Sequence, residues 1–60
     1  MPEFRNDDVI CKIGDTELRT VVEVGVTSYC IMSLERPFGL TWLSMDDIDR
    51  NCVLVERKGT

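Results

Sequence analysis

The chain has 60 residues, eleven of them acidic and seven basic, for a formal charge of −4; this is the size of one small domain. Nucleic-acid binders bring a basic stripe to the phosphates, and scattered bases among more numerous acids do not supply one. There is no His and only three cysteines, which excludes a disulfide framework and disfavours a zinc site.

A chain this short buries only ~60% of the surface that its unfolded form exposes. Its stability must come from tight packing, a closed sheet or self-association. No apolar run approaches the ~20 residues needed to cross a bilayer. Residues 1–7 and 57–60 are polar and are expected to be loose termini of a single domain covering 1–60. The N-terminal stretch lacks the apolar core of a signal peptide, so a reducing cytoplasm is expected, either bacterial or that of an infected host cell.

Between the termini, β-branched and aromatic residues alternate with polar ones, and turn residues punctuate the pattern. A first strand is predicted over residues 8–13, with Val9, Cys11 and Ile13 inward and Ile10 outward. Gly14-Asp15 reads as a two-residue hairpin turn, with Gly14 supplying a positive φ. That turn sets Cys11 opposite Leu18 and Val9 opposite Thr20. The second strand then runs to Val24, with Leu18, Thr20, Val22 and Val24 inward and Val21 outward. A one-residue slip would separate the two apolar faces, so turn and pattern agree. Gly25 marks a bulge or the start of a turn.

The third strand is predicted over 29–35. Cys30, Met32 and Leu34 point inward, and Tyr29 and Ile31 point outward. Pro37-Phe38-Gly39 reads as a three-residue loop that pairs Leu34 with Trp42 and puts both in the core. The fourth strand covers 40–43. Ser44 then caps a short helical turn, 3₁₀ or α, with Asp46 and Asp47 opposing the positive end of its dipole. The last strand, over 51–56, carries Cys52-Val53-Leu54-Val55. That run is apolar on both sides, which suits a central or covered strand.

Five short strands in meander order, with one helical turn before the last, resemble the small SH3-like β-barrel. The resemblance spans nearly the whole chain and is one of topology. The expected fold class is therefore all-β. The groove of peptide-binding SH3 domains needs several exposed aromatics and a long acidic loop after the first strand, and both are missing here. Plasmid-borne type II dihydrofolate reductases are also SH3-like barrels. They carry Val-Gln-Ile-Tyr just before their helical turn, where this chain has Leu40-Thr41-Trp42-Leu43. KOW-type and ribosomal barrels that bind RNA are usually basic, unlike this chain.

No residue set specifies a chemistry. Cys11, Cys30 and Cys52 lack close-spaced pairing and a fourth ligand, and two of them fall at inward positions where cysteine acts as a small hydrophobe. No His is available to activate a thiol. Asp46, Asp47 and Asp49 lack the alternation and the glycine of a calcium loop. The chain is therefore expected to be non-enzymatic, without cofactor or metal.

The expected function is that of a protein-interaction module: a small phage or mobile-element protein that binds and modulates a larger host protein. Tyr29, Ile31, Phe38 and Leu43 are the expected contacts, with Asp46 and Asp47 at the rim. Val21, Tyr29, Ile31 and Leu43 would form one exposed apolar patch. The alternatives are a nucleic-acid or nucleoprotein accessory barrel of KOW or Tudor type, and a structural homo-oligomer.

Overall fold

In the computed structural model, which describes residues 2–59, five strands form one antiparallel sheet in the order β4-β3-β2-β1-β5. They are β1 (Val9–Lys12), β2 (Leu18–Val24), β3 (Ser28–Ser33), β4 (Leu40–Ser44) and β5 (Cys52–Glu56). Helix α1 (Met45–Asn51) lies between the last two. The fold is all-β with one short helix, and β4 and β5 are its edge strands.

The first hairpin has the expected register, with Val9 opposite Thr20 and Cys11 opposite Leu18. Its turn differs in placement. The Asp15 amide donates to the Lys12 carbonyl at 3.0 Å, so Ile13 and Gly14 are the central residues. Gly14 has φ +86°, which suits the third position of a type II turn. The Asp15 carboxylate then accepts the Thr16 and Glu17 amides at 2.7 and 3.2 Å. These bonds hold its pKa below the ordinary value.

β2 carries a bulge before it reaches Gly25. Val21 faces Ile31 and Glu23 faces Cys30, leaving Val22 as the extra residue of a bulge. Gly25 is the start of a turn, the second of its two expected roles: its amide donates to the Ser28 carbonyl at 2.8 Å, closing a tight turn over Val26 and Thr27. The next connection is wider than a three-residue loop. Trp42 lies opposite Cys30, not Leu34, and residues 34–39 form an irregular loop with a cis Arg36–Pro37 bond. The shift moves pairing by an even number of residues, so the faces keep their identity.

Val24 and Cys30 are packed or buried as expected, but most of the two faces carry the reverse of the expected burial. Ile10, Val21 and Tyr29 are fully buried and Ile31 is 2% exposed, although all four were expected to point outward. Leu43, expected outward with them, packs against the same core. Trp42, expected in the core, is 52% exposed. The core forms where Phe4 from the N-terminal segment and Ile48 from α1 cover the sheet. Both faces are apolar enough to be buried, and the position of these two covers decides between them.

The N-terminal segment is therefore structured, contrary to the expected loose end; Met1 and Thr60, also expected loose, lie outside the described residues. Phe4 is buried, and its amide donates to the Tyr29 hydroxyl at 3.2 Å. The phenol in turn donates to Asp49 Oδ1 at 2.6 Å. Burial, followed by the Asp49 hydrogen bond, pushes the Tyr29 pKa up to about 12. The Asp7 amide donates to the Val21 carbonyl at 2.7 Å, and the Asp8 carbonyl accepts the Val21 amide at 2.9 Å. The Asp8 carboxylate, 1% exposed, accepts bonds from Arg57 Nη2 at 2.8 Å and Arg57 Nε at 3.1 Å. It also accepts the Arg5 amide at 2.8 Å. The Arg57 hydrogen bond is the main cause of the lowered Asp8 pKa.

The turn after β4 is an α-helix that spans seven residues. The Ser44 hydroxyl makes no capping bond. Asp46 and Asp47 still lie in the first turn and Arg50 in the last, the placement that the helix dipole favours. β5 is an exposed edge and not a covered strand: Val53, Leu54 and Val55 are each about half exposed.

Candidate functional site

The side of the sheet away from Phe4 and α1 has no cover among the described residues. Directly opposed residues share a face, so the register identifies its members. One row crosses Leu18, Cys11 and Val53 on β2, β1 and β5. A second runs through Leu40, Met32, Thr20, Val9 and Glu56. A third holds Trp42, Cys30 and Glu23, with the bulged Val22 beside them. Leu18, Val22, Leu40, Trp42 and Val53 all rank among the large exposed hydrophobic residues.

No lysine or arginine has a register position on this face, because Lys12 and Arg19 pair with residues of the core side. Its charged members are Glu23 and Glu56, one at either margin. Large exposed hydrophobic residues thus gather on one side of a small sheet. Trp42 is its largest residue and sits closely over the 25–28 turn. A Cβ at Gly25 would lie 3.1 Å from the Trp42 ring. Cys30 is buried although it belongs to the open side, with Trp42 and Glu23 as its cross-strand neighbours.

The contacts expected from sequence do not gather on this surface. Tyr29 and Ile31 are in the core and Leu43 is packed against it. Phe38 is 57% exposed in the 34–39 loop. Asp46 and Asp47 are exposed on α1. Asp49, grouped with them in sequence, turns to the Tyr29 phenol. Of the apolar residues of the open face, Leu18, Val22 and Trp42 were assigned inward from the sequence, whereas the 52–55 run left the side of Val53 undecided. A buried role for Phe4 would have exposed the error, because Phe4 fixes which face is covered.

Two clefts open on the core side, of about 340 and 350 Å³, and both include Arg19 and Leu43 in their walls. In the first, Glu17 accepts bonds from Arg19 Nε at 3.3 Å and the Ser33 hydroxyl at 3.1 Å. This places a mutually neutralised pair in the cleft. The second is bordered by Asp47 and Cys52; burial raises the Cys52 pKa, which keeps it a thiol rather than a nucleophilic thiolate. Among the described residues, no three His, Cys, Asp or Glu side chains form a metal-binding group. No described helix is long and apolar enough to cross a membrane. Comparison with known proteins finds no matching family model, no matching curated protein and no matching solved structure.

Proposed function

We propose that the chain is a non-enzymatic protein-interaction module whose contact surface is the open apolar face of the sheet. The observation that carries this reading is the row of Leu18, Cys11 and Val53 beside Leu40 and Trp42, without a basic residue and without a cover. The partner is a larger protein, and the setting is a small phage or mobile-element protein that modulates a host protein in the cytoplasm. The exposed Phe38 loop and the carboxylates of Asp46 and Asp47 lie outside the sheet face and serve as secondary contacts. The accompanying fold reading is an SH3-like barrel, supported by the strand order and by the helix between the last two strands.

The test is affinity capture from native-host lysate with the wild type and a Leu18→Lys/Val53→Lys variant, followed by reconstitution with the purified partner. Both positions are exposed, so the variant keeps its fold. A stoichiometric protein complex weakened about tenfold or more in the variant supports the reading. Recovery of nothing, or of nucleic acid alone, overturns it.

A further inference from the structure

The two edges of the sheet are not alike. β5 carries an irregularity next to Val55 and ends on Glu56. β4 reads Leu-Thr-Trp-Leu-Ser, with no charge and no proline, and its ladder to β3 runs without a register shift. Proteins usually guard an exposed edge with charge, proline or a bulge, because its unpaired N–H and C=O groups are a template for another strand. The Ser44 carbonyl, as the N-cap of α1, accepts the first intrahelical amide; for Leu40 to Leu43, no hydrogen bond among the described residues leaves the free side of β4. Four of its five residues are exposed, Leu40 by 63% and Trp42 by 52%.

We propose that β4 pairs antiparallel with β4 of a second copy of this chain, about a two-fold axis at Trp42. Trp42 is the central residue of the strand, so the axis sets Trp42 beside its equivalent. Leu40 then faces Ser44 of the second copy, and Thr41 faces Leu43. No charge opposes a like charge in this register. The same patch serves both copies, as a two-fold interface requires. A free peptide would have to be ordered before it could pair with this edge, at ~1–2 kcal/mol per residue. A second β4 is already extended and held by β3, so the second copy is the favoured occupant. The result is a ten-stranded sheet. Leu40, Trp42 and Ser44 lie on the side of the open face, but Leu18 and Val53 belong to other strands, so the proposal stands beside the module reading and does not depend on it.

Five residues per copy make a contact well below the ~800 Å² per partner of a standard interface, so a dissociation constant of about 10–100 µM is expected. The experiment is sedimentation from about 5 to 500 µM, with emission of the sole tryptophan recorded on the same samples. A dimer should form with a blue shift that tracks its population. Leu40→Lys and Ser44→Glu should each weaken it about tenfold, and Leu40→Lys/Ser44→Glu should restore it to within about threefold, because each lysine then faces a glutamate of the other copy. Circular dichroism of each variant at the lowest concentration checks that the fold is kept. A folded monomer throughout the range overturns the proposal, as does a dimer that the double variant fails to restore. Neither result touches partner binding at Leu18 and Val53, so the two readings fail separately.

Discussion

The Asp8 carboxylate and the Arg57 guanidinium, 49 residues apart in sequence, meet at 2.8 Å between Oδ2 and Nη2. Asp8 is almost completely buried, so the ion pair and the Arg5 amide together replace the water that the carboxylate gives up on folding. Asp8→Asn is expected to lower the melting temperature by about 5 °C or more at neutral pH. The Asp8 pKa in the folded chain lies below the ordinary 3.8. Its contribution is therefore complete above that value and is lost as pH falls through the folded pKa. Thermal melts of the wild type and the variant should converge below about pH 4; a gap of constant size down to strong acid would contradict this role.

The buried Tyr29 phenol gives the opposite pH dependence. Its pKa is raised from 10.0 to about 12, so the stabilisation it provides is complete below 10 and is lost as pH rises from about 10 to 12. Tyr29→Phe removes the bonds to Asp49 and from the Phe4 amide and should cost about 1–2 kcal/mol. Phenolate absorbance and urea unfolding, followed together up the alkaline limb, check both statements. Ionisation at the ordinary value in a chain that is still folded would refute the burial argument.

Gly25→Ala is expected to destabilise the chain by about 1–2 kcal/mol. The added Cβ would lie 3.0 Å from the Ser28 carbonyl oxygen and 3.1 Å from the Trp42 ring. The indole must move, so its emission should change together with stability. Unchanged emission and an unchanged melting temperature would show that Trp42 does not rest on this turn.

The inside and outside of the sheet can be separated by a pair of variants. Ile31→Ala removes a buried side chain and should cost about 2–4 kcal/mol. Leu18→Lys, on the open face, should change stability by about 0.5 kcal/mol or less. Urea unfolding of both variants measures the contrast. A severe loss from Leu18→Lys with a mild loss from Ile31→Ala would mean that the covered face is the other one.

The extended segments and the helical turn were legible in the sequence because alternation and turn residues are local signals. So was the first register, because the apolar pattern forbids a slip by one residue. Which face becomes the core is not a local property. Ile10, Val21, Tyr29 and Ile31 alternate with Val9, Cys11, Thr20, Val22, Cys30 and Met32, and neither set is polar enough to be turned outward by its own composition. Phe4 and Ile48 make the choice from distant positions in the chain. A polar N-terminal stretch conceals Phe4, and Asp8 looks like a solvated charge until Arg57 is beside it. Tyr29, Ile31 and Leu43 were placed on the outside for the same reason, because the open side is defined by what those covers leave.

Arg57 Nη2 also donates to the Glu3 carbonyl at 3.3 Å. The path of the chain thus returns nearly to its start, and residues 3 and 57 are spatial neighbours. A unit whose ends meet can be carried inside a surface loop of another protein without stretching either junction. Its ends can equally be joined by a short linker and reopened at Val26 and Thr27, both exposed at the tip of the tightest hairpin. Such a permutant would keep every strand pairing in the sheet while changing which strand a ribosome makes first.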